Sequence, residues 1–234
     1  MIRAALAFTL PWFAIGAVLM ALGARGRAPE VVRARGVKLV FFFLIVHGVV
    51  AAAAAGRTAL AGLALAIALV GGFELARALR RLAPAERWPV LPALALVVAF
   101  LAGSARLAPA RTLYLFLTVA AFDGFSQVVG QLLGRTPLAP ALSPAKTVEG
   151  LAGGLAGSVL AALALRGLPG LPAGLAAGAG FGIGLAALAG DLAGSWTKRR
   201  AGIKDFSGLL PGQGGVLDRF NSFIAAVVLA GPFF

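Results

Sequence analysis

Residues 37 to 55 read Val-Lys-Leu-Val-Phe-Phe-Phe-Leu-Ile-Val-His-Gly-Val-Val-Ala-Ala-Ala-Ala-Ala, with no Asp, Glu, Lys or Arg after Lys38. Such a run approaches the roughly 20 apolar residues that an α-helix needs to cross a bilayer. The rest of the chain has the same character, since 60% of its 234 residues are hydrophobic, only 12% are charged and the mean hydropathy is +0.96. Soluble domains carry about 25% charged residues. The composition therefore predicts an all-α, polytopic bundle of transmembrane helices and excludes an ordinary soluble domain.

Apolar stretches of this kind recur along the chain and are separated by short polar loops. We read eight of them, at residues 4–23, 37–55, 58–73, 89–104, 112–133, 151–165, 171–193 and 220–234. The loops between them are alternately rich and poor in Lys and Arg. Because basic loops stay on the cytoplasmic side, this alternation predicts eight spans with both termini outside, in the cell inner (plasma) membrane.

The chain has 21 Lys and Arg against 8 Asp and Glu, which gives a formal net charge of +13. In a membrane protein such an excess sets orientation and contacts anionic lipid headgroups, so we predict no nucleic-acid partner. The absence of cysteine excludes disulfides and thiolate metal sites.

Glycine recurs at intervals of four residues, which leaves one face of a helix without side chains. The positions are Gly150 and Gly154, Gly153 and Gly157, and Gly170, Gly174, Gly178 and Gly182. Bare faces of this kind let helix backbones approach closely, either within one chain or between the two copies of a homodimer.

The eight acidic residues divide the chain into two parts. Three of them occur in Arg-rich loops, where we interpret them as solvated ion-pair partners: Glu30, Glu74 and Glu86. The other five occur in or beside two predicted cytoplasmic loops of the second half: Asp123, Glu149, Asp191, Asp205 and Asp218. We therefore predict a scaffold of transmembrane helices in residues 1–110 and a catalytic half in residues 111–234.

Asp123 stands inside an apolar stretch, in the sequence Ala-Phe-Asp-Gly-Phe-Ser. A carboxylate within a membrane is costly, so it indicates either function or a structural pair with a basic residue. His47 is the only histidine, and we interpret it as a packing residue because no second histidine exists to form a metal pair.

Residues 195–221 form the densest polar segment and read SWTKRRAGIKDFSGLLPGQGGVLDRFN. Its Lys and Arg side chains can clamp phosphates, and its glycines allow an anion to approach backbone amides. Asp205 and Asp218, with Asp123 or Asp191, could supply oxygen ligands for Mg²⁺. Together these groups favour phosphoryl or nucleotidyl transfer over the alternative, a solvated basic loop at the membrane surface.

This segment resembles the signature of phosphatidate cytidylyltransferases (CDP-diacylglycerol synthases). That signature runs Ser-x-apolar-Lys-Arg, four residues, Lys-Asp, then His-Gly-Gly, apolar, x, Asp-Arg, apolar, Asp. The matching residues are Ser195, Lys198, Arg199, Lys204, Asp205, Gly214, Gly215, Asp218 and Arg219. Residues 138–150, LAPALSPAKTVEG, and the sequence Gly-Asp-Leu at 190–192 also resemble elements of the family.

Three positions depart from the pattern. Thr197 replaces an apolar residue, Gln213 stands where the family has His, and Asn221 stands where it has a final Asp. Gln cannot titrate and Asn carries no charge, so an acid–base role or a charged metal ligand is lost at these positions.

The resemblance implies that a lipid phosphate oxygen attacks the α-phosphorus of CTP, giving CDP-diacylglycerol and pyrophosphate at the cytoplasmic face of the membrane. It implies catalytic roles for Lys198, Lys204, Asp205 and Asp218. It implies phosphate or substrate binding by Ser143, Lys146, Thr147, Ser195, Arg199, Gly214, Gly215 and Arg219. The implied ligands of Mg²⁺ are Asp123, Asp191, Asp205 and Asp218, and a second cation is left open. The roles of Gln213, Asn221 and Glu149 stay undecided.

Three other hypotheses remain at this point. The chain could act on another lipid phosphate, it could be a degenerate homologue without catalytic activity, or it could be a transporter. The substitutions at Gln213 and Asn221 support the degenerate homologue.

Overall fold

The computed structural model describes residues 1–22, 28–84, 87 and 91–234. Glu86, interpreted above from its loop, lies outside these residues. Within the described chain there are eight α-helices, one β-hairpin and a final 3₁₀ turn. The elements are α1 (Ile2–Leu22), α2 (Pro29–Ala55), α3 (Arg57–Leu79), α4 (Leu91–Arg106), α5 (Pro109–Leu133), β1 (Pro137–Ala139), β2 (Ser143–Thr147), α6 (Val148–Ala164), α7 (Ala173–Arg200), α8 (Val216–Leu229) and the turn Gly231–Phe233. The prediction of an all-α membrane protein is confirmed.

Four of the helices combine the length and the hydropathy that crossing a membrane requires, namely α2, α3, α5 and α7. The apolar parts of α1, α4 and α6 are shorter, and α8 has 14 residues. Each predicted apolar stretch thus corresponds to a helix, while the number of spans and the side of the termini remain predictions.

Several helices extend beyond the apolar stretches that predict them. Helix α3 continues to Leu79, α7 continues to Arg200 and α8 begins at Val216. Side chains that we assigned to loops, including Glu74, Lys198 and Asp218, are therefore helical. Hydropathy reports where apolar side chains end, whereas backbone hydrogen bonding continues past that point, and basic residues in the last turn of α7 favour its extension.

The segment between α5 and α6 was predicted as a loop, but it contains an antiparallel hairpin. Pro137 pairs with Thr147 and Ala139 pairs with Ser143. Helix α6 follows directly, so the hairpin brings the sequence LAPALSPAKTVEG to one end of the bundle.

Helix α5 supplies much of the core, since its side chains from Thr112 to Val119 are all buried. Helix α6 packs along it through the predicted glycines: a side chain at Gly154 would overlap Phe122, and one at Gly157 would overlap Phe125. The prediction of close helix packing is confirmed here.

Helix α7 packs on its neighbours through a different set of glycines from the one predicted. A side chain at Gly180 or Gly184 would overlap α6, and one at Gly190 or Gly194 would overlap α8. By contrast, no described atom lies within 4 Å of the side-chain positions at Gly170, Gly174, Gly178 and Gly182. The prediction that this stripe packs against another helix was wrong within the described chain. Its contact with a second copy of the chain in a homodimer stays a prediction.

Candidate active site

The candidate site lies where α7 ends and α8 begins. Helix α7 ends at Arg200, residues 201–215 form a connecting loop, and α8 starts at Val216. The loop turns at Gly202, Gly212 and Gly214, whose φ angles are +63°, +69° and +84°. Glycine adopts this left-handed backbone without steric cost, so the loop can fold back tightly between the two helices.

Asp218 joins α7, the loop and α8. Its Oδ1 accepts a hydrogen bond from Lys198 Nζ at 2.6 Å, and its Oδ2 accepts from the N–H groups of Phe206 and Gly215, each at 2.8 Å. Only 1% of the Asp218 side chain is exposed. Both oxygens are thus occupied by donors of the chain itself, and Asp218 positions the three segments. Oδ1 accepts from one donor and keeps a second lone pair, and metal binding by Asp218 stays a prediction.

The glycines of the loop lie against carboxylates of the protein. The Gly214 N–H donates to the Leu210 carbonyl, and the Gly215 N–H donates to Asp218. A side chain at Gly214 would overlap Asp218, and one at Gly215 would overlap Glu74. The carboxylates of Asp218 and Glu74 therefore fill the space beside Gly214 and Gly215. The predicted contact of these glycines with a substrate phosphate stays a prediction.

The burial and the contacts of Glu74 contradict its interpretation as a solvated ion-pair partner. It is 3% exposed and accepts hydrogen bonds from Ser207 Oγ and from the N–H groups of Val216 and Leu217. In the part of the chain that the structure describes, it forms no ion pair. The loop interpretation was wrong because α3 continues through Glu74. In the sequence, the signal that the helix continues through Glu74 was its apolar neighbours, Phe73 and Leu75.

The hairpin is attached to α7 by two polar contacts. Lys146 Nζ forms an ion pair with Asp191 Oδ2 at 2.6 Å and lies 3.5 Å from Ser143 Oγ. Arg199 Nε donates to the Leu142 carbonyl at 3.1 Å. The two segments that resemble the family's elements therefore meet in space, although about fifty residues separate them in the sequence.

Asp123 lies on α5 beside this attachment. Its Oδ1 is 3.4 Å from Ser222 Oγ of α8, and it lies close enough to Asp191, Arg219 and Lys146 to interact electrostatically. The structure therefore brings together the predicted site residues of α5, α7, α8 and the hairpin.

Two predicted site residues organise the junction between the hairpin and α6. Thr147 caps α6, because its Oγ1 accepts a hydrogen bond from the Gly150 N–H at 3.0 Å. Glu149 accepts from the N–H groups of Arg135 and Thr136 at 3.0 and 3.2 Å, and from Thr136 Oγ1 at 2.9 Å. The Arg135 bond is the largest cause that lowers the pKa of Glu149 to about 2, so this carboxylate stays charged at neutral pH.

Gln213 connects the loop to the N-terminal half. It is 7% exposed, and its Nε2 donates to the Lys38 carbonyl at 2.6 Å. A side chain at Gly212 would also contact the stem of Lys38. Among the remaining predicted residues, Ser195 is buried, Lys204, Asp205 and Arg219 are exposed, and the Asn221 side chain packs against Gly194.

His47 lies away from these contacts, between α1 and α2. Its Nε2 is 3.3 Å from Thr9 Oγ1, its Nδ1 is 3.0 Å from the Phe43 carbonyl, and its ring stacks on Phe43. Its interpretation as a packing residue is confirmed.

The acidic side chains of the site are compatible with magnesium binding in one arrangement. Among the described residues, no three Asp, Glu, His or Cys side chains form a metal-binding group. Mg²⁺, however, often binds through one or two carboxylates together with substrate phosphates. Asp123 and Asp191 fit that arrangement, and Asp205 is exposed. Asp191 and Asp218 each already pair with a lysine, and each keeps acceptor sites on its oxygens.

Comparison with known proteins identifies the family of the chain. The model of the cytidylyltransferase family matches residues 101–234. The chain is 42% identical over 123 residues to the phosphatidate cytidylyltransferase of Brucella abortus, a match that covers 50% of this chain and 43% of that protein. It is 38% identical over 119 residues to the phosphatidate cytidylyltransferase of Staphylococcus aureus (50% and 46% covered). It is 40% identical over 124 residues to a chloroplastic phosphatidate cytidylyltransferase of Arabidopsis thaliana (52% and 32% covered).

In each case the match spans less than half the length of the relative. The match to the family, on the other hand, covers more than half of this chain and includes α5 to α8 with both polar segments of the site. The chain therefore belongs to the cytidylyltransferase family.

Proposed function

We propose that this protein condenses CTP with phosphatidic acid, giving CDP-diacylglycerol and pyrophosphate. The relatives named above are phosphatidate cytidylyltransferases, which supports the substrate class. The observation that carries the proposal is the Lys146–Asp191 ion pair of 2.6 Å, because it joins the segment 138–150 to the Gly-Asp-Leu sequence of α7, and both resemble elements of the family. A site that must hold a nucleotide and a lipid phosphate requires groups from both segments.

We expect the phosphates to bind to basic side chains that form no ion pair with an acid of the protein. Lys198 is paired with Asp218 and Lys146 with Asp191, whereas Lys204 and Arg219 are exposed and form no ion pair among the described residues. We assign the triphosphate and the lipid phosphate to Lys204 and Arg219, since the Arg fork suits bidentate phosphate contacts.

In the proposed reaction, an oxygen of the lipid phosphate attacks the α-phosphorus of CTP, and the bond to the β-phosphate breaks to release pyrophosphate. Asp123 and Asp191 would hold Mg²⁺, with Asp205 as a further ligand. When bound, the ion would neutralise charge that develops on the phosphate oxygens. We place the site at the cytoplasmic face of the plasma membrane, where CTP is available and the lipid can enter from the bilayer.

The proposal is tested with purified protein in detergent, given Mg²⁺, labelled CTP and phosphatidic acid. We expect labelled CDP-diacylglycerol and one pyrophosphate per turnover. Asp123→Asn and Arg219→Ala should each lower kcat/KM by about a hundredfold or more, since each removes an electrostatic contact to the reacting phosphates. Glu30→Gln, an exposed acid on α2, is the matched control and should keep full activity.

A non-catalytic homologue is the second candidate, favoured by the three donors that already engage Asp218 and by Gln213 and Asn221 in place of His and Asp. The same assay decides between the two. Absence of turnover, with no gain in the Gln213→His/Asn221→Asp double variant, would contradict the enzyme. Turnover of another lipid phosphate in preference to phosphatidic acid would change the substrate and keep the chemistry.

A further inference from the structure

Glu74 is a buried acid of the N-terminal half for which the proposed reaction has no use. It lies on α3, outside residues 101–234 that match the family. Only 3% of it is exposed. An isolated carboxylate buried to this extent is strongly unfavourable, so its hydrogen-bond partners explain why it is there.

Those partners belong to the signature segment, one in the loop after α7 and two at the start of α8. Glu74 Oε1 accepts from Ser207 Oγ at 2.5 Å and from the Val216 N–H at 3.0 Å, and Oε2 accepts from the Leu217 N–H at 2.8 Å. Ser207 follows Lys204 and Asp205 by a few residues, and Val216 and Leu217 directly precede Asp218 and Arg219. One carboxylate thus contacts a side chain of the loop and the backbone at the start of α8.

Glu74 and Asp218 share the start of α8 between them. Asp218 accepts from the Gly215 N–H, and Glu74 accepts from the next two N–H groups of the helix. The first N–H groups of a helix have no partner within it, and negative charge there is favourable. The absence of a side chain at Gly215 is what lets the Glu74 carboxylate reach this position.

We propose that Glu74 is a positioning residue of the active site. It fixes the loop and the first turn of α8 relative to α3, and it thereby sets where Lys204, Asp205 and Arg219 stand. The catalytic part of this inference rests on the proposed function, whereas the structural part does not.

The decisive variant is Glu74→Gln, which keeps the shape of the side chain and removes one acceptor. Whichever way the amide is turned, its NH₂ group faces a backbone or hydroxyl donor, so at least one bond is lost. Glu74→Asp keeps the charge but shortens the side chain, and serves as the conservative variant. Glu30→Gln is the same chemical change at an exposed acid of the same half.

Two measurements are made on each variant in the same detergent. Hydrogen–deuterium exchange of peptides covering 206–217 should become about tenfold faster in Glu74→Gln, because at least one of the amides of Val216 and Leu217 loses its acceptor, while exchange in α5 and α6 stays unchanged. The kcat for cytidylyl transfer should fall about tenfold to a hundredfold with a KM for CTP within about threefold, since small misplacements near reacting groups act on the chemical step. Glu74→Asp should recover part of both losses, and Glu30→Gln should match the unmodified protein.

The outcomes separate this inference from the proposed function. Unchanged exchange and unchanged kcat in Glu74→Gln would overturn it. Faster exchange throughout the bundle would also overturn it, in favour of a general role in stability. If Glu74→Gln does not fold, Glu74→Asp is judged by the same two criteria. If the unmodified protein shows no turnover, the proposed function fails alone, and the exchange data still decide whether Glu74 holds the loop.

Discussion

At the scale of single residues, the carboxylates of the site are engaged with the protein's own donors. Asp218 accepts from Lys198 and from two backbone N–H groups, and Glu149 accepts from Arg135 and Thr136. The resemblance to the family marks Asp218 as a site residue and leaves the role of Glu149 undecided. It does not reveal their partners, because a carboxylate that binds a metal and one that caps a helix have the same side chain.

The Lys198–Asp218 pair provides a residue-scale prediction. Asp218→Asn leaves the Lys198 ammonium without its partner in a largely buried place, so we expect a loss of about 3 kcal/mol of stability and of measurable turnover. The double variant Lys198→Met/Asp218→Asn removes both charges and should be less destabilised than the sum of the two single variants. Thermal unfolding in detergent checks this, and strict additivity would contradict the pair.

Gln213 provides a second prediction at this scale. Gln213→Leu removes the hydrogen bond from the buried Gln213 side chain to the Lys38 carbonyl of α2, which should cost about 0.5–1.5 kcal/mol. Gln213→His keeps a ring N–H that can donate to the same carbonyl and should cost less. Unfolding midpoints of the two variants, measured side by side, decide the matter, and equal losses would show that the Lys38 contact contributes little.

At the scale of elements, close contact between helices depends on which glycines face a neighbour. Helix α6 meets α5 through Gly154 and Gly157, and α7 meets α6 through Gly180 and Gly184. Glycines at intervals of four residues correctly predict a face without side chains in each of these helices. They do not indicate whether another helix lies against that face, because this depends on how the helices are placed in the bundle.

The element-scale prediction compares alanine substitutions at two glycines, one packed against a neighbouring helix and one with open space beside it. A methyl group at Gly157 would stand 2.7 Å from Phe125 Cβ, so Gly157→Ala should destabilise the protein by about 1–3 kcal/mol. Gly178→Ala meets nothing within 4 Å and should be neutral or gain up to about 1 kcal/mol from helix propensity.

Unfolding midpoints in detergent test this pair, and molecular mass in the same detergent provides the control. A similar loss in both variants would contradict the packing described here. A shift from dimer to monomer caused by Gly178→Ala would show instead that the open stripe packs between two copies.

At the scale of the whole molecule, the two predicted halves are joined at the site. Lys38 of α2 and Glu74 of α3 both contact the loop between α7 and α8. The division into a scaffold half and a catalytic half at residue 110 stays a prediction. The two contacts support the loop and add no residue to the predicted ligands. The N-terminal helices thus do more than anchor the chain.

Membrane orientation is the prediction that belongs to this scale. The chain has no cysteine, so a single Arg200→Cys substitution creates one labelling site without background. Arg200 is exposed at the end of α7. By the positive-inside rule, a membrane-impermeant thiol reagent should label it only after the membrane is permeabilised in intact cells. A cysteine at Arg111, in a loop predicted to lie outside, is the matched control, and labelling of Arg200→Cys from outside would contradict the orientation.

Much of the fold could be predicted because it follows from local composition. Each apolar stretch became a helix, as the run at 37–55 became part of α2. The limits of α3, α7 and α8 could not be predicted, since polar residues continue a helix when their backbone and side chains find partners elsewhere. The hairpin at 137–147 escaped prediction because its two strands are very short.

The sequence alone therefore determined the class of protein and the approximate position of each helix, and it predicts which residues carry the chemistry. These depend on hydropathy and on spacing, which are properties of neighbouring residues. Only the tertiary structure decided that Lys146 pairs with Asp191, that Asp218 is held by Lys198, and that Glu74 reaches the start of α8. Those contacts join residues that are 20 to 143 positions apart, and hydrogen bonds at such separations depend on how the helices pack rather than on any local pattern.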